Sequence, residues 1–383
     1  MGLKERLGRI GINDQDIIKR KLFKAFGFIA NPFPPAGQPF GHPHLEDEAD
    51  EKIATFISSF EFNNTSHALL IEGRQGVGKT NLLNYYESEL KDLYLEDEGF
   101  YIIRYLPDPE PSFDKIIRFI FNALGKNHIS KLGQELATKN DQELEGMIAR
   151  VRSYDVKNVL INLRKSFQDD ENNSYIIDDT LEWLVGLRLL NRHRYSLGVQ
   201  FRLDTVESKT QALRDIVECS VELGILKGIF LLLDELEKQD SSLSHISVLR
   251  YLSAIRAIID ALPNNFFLMA ALTVEAKRRY FGMLPAFAGR MQNSVVLKPL
   301  QDDSEAMDIY SFYLFVARKK AKKEMRNSVG ALYQTEFLPV IEIKDIFDLL
   351  LKESSDRGIE GVTQRDFLNK VHLYTEEKIQ TLF

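Results

Sequence analysis

Ala68-Leu69-Leu70-Ile71-Glu72-Gly73-Arg74-Gln75-Gly76-Val77-Gly78-Lys79-Thr80 decides how this chain is read. The run Ala68 to Ile71 is short and apolar, the pattern of a buried strand. Gly73, Gly78, Lys79 and Thr80 complete the spacing G-x-x-x-x-G-K-T, with Gly76 and Val77 inside the loop. Glycines let a loop curl until its N–H groups converge on phosphate oxygens. A helix must follow at once, because its free N-terminal amides complete an anion site. Thr80 to Leu90 supplies one, with leucines and tyrosines on a helical period. In this pattern Lys79 reaches the β and γ phosphates and Thr80 offers its hydroxyl to Mg²⁺. ATP and Mg²⁺ are therefore the expected cofactors.

Gly228-Ile229-Phe230-Leu231-Leu232-Leu233-Asp234-Glu235 is the second diagnostic stretch. Five large apolar residues in a row read as a strand buried on both faces. Two acids follow, at the carboxyl edge where parallel sheets gather ligands. Asp234 is placed to hold Mg²⁺ through a bound water, and Glu235 to polarise an attacking water. The second acid argues for hydrolysis over transfer to a substrate hydroxyl. Further strands are expected at Phe100–Tyr105, Phe266–Leu272 and Val295–Leu297. Thr273 follows one of them. It would either sense the γ-phosphate and orient the water, or cap the helix that begins at Glu275.

Between strand two and the Asp234 strand lies far more chain than a crossover needs. An all-helical insertion is expected at about 107–205, with helices at Phe113–Leu124, Asp141–Gln168 and Asp178–Leu190. Its Trp183, Arg188, Arg192, His193, Arg194 segment turns basic. Such a segment touches phosphates, nucleic acid or an acidic neighbour, or is a solvated helix end. Upstream of the loop, Asn31 to Pro43 carries five prolines and two glycines, which forbid regular structure. It is also apolar, so it packs on the body of the protein and is a candidate for holding the base of a nucleotide. From Gln301 onward helices run without strands. Arg318, Lys319, Lys320, Lys322, Lys323 and Arg326 form a basic cluster, suited to a helix end, to nucleic acid or to an acidic partner. Thr363 and Asp366 approximate a capping box. Arg365 then lies in a first helical turn, an unfavourable place unless it faces a phosphate. The expected division is 1–45, N-terminal helices and the base-side loop; 46–300, the nucleotide-binding domain with its insertion; and 301–383, a helical lid.

The totals fit this reading. The chain has 383 residues, 44% hydrophobic, a formal charge of -7 and a single cysteine, Cys219. Length suggests two domains or one with insertions. One cysteine excludes an internal disulfide and a cysteine zinc cluster, and fits the cytoplasm. No stretch reaches the apolar length of a membrane span, so no membrane association is expected.

Gly73–Thr80, Leu231–Glu235, Thr273, Arg290 before Val295-Val296-Leu297 and the helical lid together resemble the AAA+ superfamily of ATPases. Asn31-Pro32-Phe33, the Asp234-Glu235 pair and Gly361-Val362-Thr363-Gln364-Arg365 resemble its origin-recognition, helicase-loader and transposition branch. Glu182-Trp183-Leu184-Val185-Gly186, Leu197-Gly198-Val199 and Gly224 before the Asp234 strand are similar to ATP-binding proteins of BREX-type phage-defence systems. The resemblance implies an α/β fold with a parallel sheet in the order 5-1-4-3-2. It implies homo-oligomers with shared sites, in which Arg290 reaches a neighbour's γ-phosphate, with Arg278 and Arg279 in reserve. It places Asn31 and Phe33 beside the base and Arg365 on a phosphate. It also implies double-stranded DNA and the proteins of a multi-component system as partners. The alternative reading is a nucleotide-regulated scaffold with little hydrolysis.

Overall fold

Five strands pair into one parallel sheet. They are β1 (His67–Glu72), β2 (Phe100–Tyr105), β3 (Gly228–Leu233), β4 (Phe266–Leu272) and β5 (Asn293–Val296), in the spatial order β2-β3-β4-β1-β5. The computed structural model describes residues 14–35, 43–97, 99–105, 113–169, 173–237, 244–324 and 336–381. Parts of the proline-rich stretch, the polar turn at Lys238–Ser242, Arg326 and the first residues of the expected N-terminal helices lie outside them.

Central strands β3 and β4 are buried along their whole length, and β1 at all but His67. Burial on both faces is why these strands are continuous runs of Leu, Ile and Phe without polar alternation. Registers are set by parallel pairing, with Glu72 opposite Leu272 and Leu233 opposite Ala270.

Helices fill the rest. In chain order they are α1 (Asp14–Ala25), α2 (Glu48–Asn63), α3 (Lys79–Leu93), α4 (Phe113–Thr138), α5 (Asp141–Ile148), α6 (Tyr154–Gln168), α7 (Ser174–Leu184) and α8 (Asn191–Leu197). Then follow α9 (Val206–Glu222), α10 (His245–Ala261), α11 (Val274–Met283), α12 (Pro285–Ala288), α13 (Asp303–Glu324), α14 (Val340–Asp356) and α15 (Gln364–Thr381). Among the described residues, none is long and apolar enough to cross a membrane.

The chain forms two compact units. The sheet unit takes Glu48–Glu72 and Tyr86–Val296; the helical unit takes the described residues of Met1–Asp47, Gly73–Tyr85 and Leu297–Phe383. The loop that opened the sequence reading thus groups with the N- and C-terminal segments. Each unit has its own core. In the sheet unit Ile103, Tyr105, Leu231 and Leu268 pack with Ile117, Leu160 and Trp183 of the helical insertion. In the helical unit Phe28, Phe33, Tyr310, Phe337, Phe347 and Phe367 pack together.

Two local departures from the sequence expectation have a physical cause. The stretch 141–168 is two helices, not one. Buried Asp215 of α9 accepts the N–H groups of Arg152 (3.1 Å) and Ser153 (2.8 Å), drawing them out of helical bonding. Ser153 then caps α6 by accepting from Val156 N–H, and Asn140 caps α5. The second departure is α8, which replaces the tail of the helix expected at Asp178–Leu190; α7 ends at Leu184, and Gly186 follows with φ +73°. Cys219 is buried, and burial pushes its thiol up to about 12, so it acts as a small packing group.

Candidate functional site

The loop is built by backbone that ordinary residues avoid. Gly76 and Gly78 have φ of +87° and +107°, the left-handed region open to glycine without a side-chain clash. The start of α15 lies against this loop. Arg365 N–H donates to Gly76 O at 3.1 Å, and a Cβ added at Gly78 would meet Gln364 Oε1 at 3.2 Å. Gly73 needs its lack of a side chain for another reason: a Cβ there would stand 2.8 Å from Leu297 O. Val77 is buried beneath the loop. Lys79 is buried too, and its Nζ donates to Gly73 O (2.8 Å) and Arg74 O (3.0 Å). Its charge is thereby held inside the curl of the loop, where phosphate oxygens would compete with the carbonyls for it. Thr80, next in the first turn of α3, is exposed.

A small cavity of about 30 Å³ borders the loop. Pro43, His44, Val77, Asn81, Ile309 and Tyr313 are among its lining residues. Asn81 Nδ2 donates to Pro43 O at 2.8 Å, tying the residue after Thr80 to the segment that leads in from the prolines. Phe33 is 1% exposed and stacks on Tyr310, with ring centroids 5.4 Å apart. Asn31 Nδ2 donates to His372 O (3.2 Å) and Glu376 Oε1 (2.9 Å), fastening its own segment to α15. Phe33 thus packs in the core of the helical unit, and Asn31 ties its segment to α15.

Within the sheet unit, the strand ends converge. Glu72 closes β1 and Asp234 follows β3, two strands away on the same sheet edge, about 10 Å at the usual strand spacing. Asp234 is 1% exposed. Its Oδ1 accepts Glu235 N–H (2.9 Å) and its Oδ2 accepts Arg104 Nη2–H (2.8 Å). Glu235 adopts φ +48°, a conformation that costs a non-glycine residue about 1–2 kcal/mol and recurs at functional sites. Arg104 was not singled out from the sequence. Its signal was there: a lone charge in the otherwise uncharged strand Phe100–Tyr105.

Thr273 caps α11. Its hydroxyl accepts Ala276 N–H at 3.2 Å, at the start of α11. Arg290 is half-exposed and held by Asp260, with Nε 2.6 Å from Oδ1. Arg279 lies over the Tyr280 ring, while Arg278 is exposed. Lys277 pairs with Glu72 at 2.8 Å, which neutralises the acid that ends β1. Arg365 itself is exposed, and Thr363 accepts Asp366 N–H at 3.1 Å.

Asp179, Glu182 and His193 sit close enough to suggest a metal site. Their hydrogen bonds oppose it. Leu190 N–H donates to His193 Nδ1, and His193 Nε2 stands 3.0 Å from Glu182 Oε2, so both ring nitrogens are already engaged. Arg192 pairs with both carboxylates. The group is an ion-pair cluster.

No protein-family model matches the chain, and no curated protein matches it. Among solved structures it is similar to the ORC2 protein of Aeropyrum pernix in ADPNP–ADP complexes, at 11% identity and a TM-score of 0.41, over 87% of this chain and 69% of that one. The ADP form of the same protein gives 12% identity and 0.38, over 86% and 69%. A Walker-type ATPase of Pyrococcus abyssi gives 13% identity and 0.31, over 88% and 73%.

Proposed function

We infer that the chain is a magnesium-dependent ATP hydrolase of the P-loop class, working as an oligomeric switch in a DNA-associated process. One observation carries the reading: the loop after β1 turns through positive φ at Gly76 and Gly78 and holds the buried Lys79 ammonium inside its curl, the form of a phosphate cradle. The residues suit the cofactors. Gly76 and Gly78 free the loop's amides to face phosphate oxygens, and Lys79 adds charge already positioned inside the curl. Thr80 and Asp234 offer oxygen donors, the kind Mg²⁺ prefers. Asp234 has used two of its roughly four lone-pair positions, so it can still hold a metal-bound water. Bound Mg²⁺ supplies charge that steadies the phosphate oxygens. Glu235 takes the proton of the attacking water, and Arg290, half-exposed, is available to a neighbouring subunit. The Gly361–Arg365 start of α15 lies against the loop and so would respond to its occupant. Double-stranded DNA, a cytoplasmic setting and a role in BREX-type phage defence belong to the same reading, on the strength of the sequence motifs.

The test is ATP turnover with and without Mg²⁺. Lys79→Ala abolishes it. Glu235→Gln lowers it about 10²- to 10⁴-fold while nucleotide stays bound. Unchanged turnover in Glu235→Gln overturns the reading. A second reading, a nucleotide-regulated scaffold with little hydrolysis, is favoured by the engagement of Thr273 in its cap and of Asp234 by Arg104. Tight ATP binding with negligible turnover, even with DNA present, would establish it.

A further inference from the structure

Residues 187–203 carry four arginines and no acid on a chain whose net charge is -7. Arg192 is spent on Asp179 and Glu182. Among the described residues Arg188, Arg194 and Arg202 have no ion pair, and all three are exposed. Two aromatic side chains stand out among them. Tyr195 is 88% exposed and Phe201 72%.

Their exposure does not come from a loose backbone. Asn162 Nδ2 donates to Leu197 O (3.0 Å), and Asn158 Nδ2 to Gly198 O (2.9 Å). The buried Asp155 carboxylate accepts Gln200 N–H (2.9 Å) and Phe201 N–H (3.0 Å). Trp183 Nε1–H donates to Phe201 O at 3.0 Å, and Arg202 Nε–H to Gly186 O at 3.0 Å. Six hydrogen bonds thus fasten 197–202 to α6 and the end of α7, while the Phe201 ring is turned outward. The Arg202 bond holds that residue against Gly186, next in the chain to Leu187 and Arg188, and the Trp183 bond holds Phe201 at the end of α7. His193 and Leu197 face inward from α8, which leaves Arg194 and Tyr195 on its outer side. Chain length alone keeps Tyr195 within about 22 Å of Phe201.

We propose that this surface, Arg188, Arg194, Tyr195, Phe201 and Arg202, binds single-stranded nucleic acid. The arginines track phosphates, and the two fixed rings offer platforms on which unpaired bases stack. A duplex hides its base faces from such rings, so the aromatic component selects the single strand. An acidic peptide would satisfy the charge but has no use for two exposed ring faces. The proposal goes beyond nucleotide turnover and does not depend on it, since binding is measured without ATP.

The test uses the full chain and a fluorescein-labelled oligothymidylate of about 20 nucleotides, longer than the roughly 4–16 that one such site covers. Anisotropy is followed from about 50 to 200 mM salt. Tyr195→Ala with Phe201→Ala weakens binding by about 10-fold or more. Arg188→Ala with Arg194→Ala also weakens it, and lowers the log–log salt slope by about 1.4, at about 0.7 per lost phosphate contact. Thermal unfolding of both variants matches the parent, because the substituted side chains are exposed. Three results overturn the proposal: no binding at low salt, binding indifferent to the aromatic pair, or polyglutamate competing as well as unlabelled oligothymidylate. A duplex that binds as tightly and ignores Tyr195 and Phe201 overturns it equally. ATP turnover measured on the same variants stays at the parent level, so failure here is separable from failure of the hydrolase reading.

Discussion

Arg104 of β2 donates from Nη2 to Asp234 Oδ2 at 2.8 Å, with 8% and 1% of the two side chains exposed. The acid expected to serve a metal is therefore already paired inside its own sheet. Arg104 Nε and Nη1 are buried without a hydrogen-bond acceptor among the described residues, and Glu87 Oε2 lies 3.8 Å from Nε. Removing the guanidinium leaves a buried carboxylate with one bond, from its neighbour's amide. Arg104→Met should lower unfolding free energy by about 3–5 kcal/mol. Adding Asp234→Leu should recover most of it, since a buried pair replaced by apolar groups is often neutral. Urea denaturation of both variants decides this. A single variant within about 1 kcal/mol of the parent would mean that water already reaches Asp234.

Phe33 makes the expectation for the base-side loop testable. Stacked on Tyr310 and fully buried, it belongs to the core of the helical unit. Phe33→Ala should cost about 3–5 kcal/mol of stability. Folded variant, assayed at low temperature, should bind nucleotide with the parent affinity. A variant of parent stability whose nucleotide affinity falls would return Phe33 to the base.

Much of this architecture could be read from residue patterns, because the strongest signals are local. β3 and β4 are unbroken apolar runs, and only burial on both faces accounts for that. The glycine spacing from Gly73 to Gly78 corresponds to a backbone requirement that now has φ values attached. The cap that Thr273 makes on α11 is local, needing only the three residues that follow. What escaped depends on distant partners. The break between α5 and α6 is imposed by Asp215, more than sixty residues away, and no local propensity signals it. Arg104 acquires meaning only when β2 pairs with β3. Phe33 sits in a proline-rich segment whose composition does not say that this ring turns into the core.

His128 gives a pH dependence with a defined sign. It is 1% exposed, with Nδ1 2.9 Å from Tyr101 Oη and Nε2 2.9 Å from Ser220 Oγ. Burial pushes its pKa from 6.5 down to about 4. The unfolded chain therefore binds a proton between these values that the folded chain refuses. Its contribution is complete above pH 6.5 and is lost as pH falls toward 4, a decline of about 3 kcal/mol. His128→Gln should be less stable at neutral pH, having lost part of this network, and should lack that acid-side slope. Urea midpoints measured across the range for both proteins test it; parallel curves would assign the slope to other groups.

Arg290 separates a role between subunits from a role within the chain. Its pairing with Asp260 is half-exposed, and such pairs contribute about 0–1 kcal/mol. Arg290→Ala should therefore unfold within about 1 kcal/mol of the parent and bind ATP unchanged. If the guanidinium crosses to a neighbour's phosphate, turnover falls by about 10³-fold or more, the range seen for arginines that steady a phosphoryl transition state. Turnover per chain in the parent should then rise with protein concentration as oligomers form, and the variant should show no such rise. Mixing the variant with Glu235→Gln sharpens the distinction. Each lacks what the other supplies, so a site shared between chains regains activity at the junctions that pair an intact Glu235 with an intact Arg290. A site confined to one chain stays inactive in the mixture.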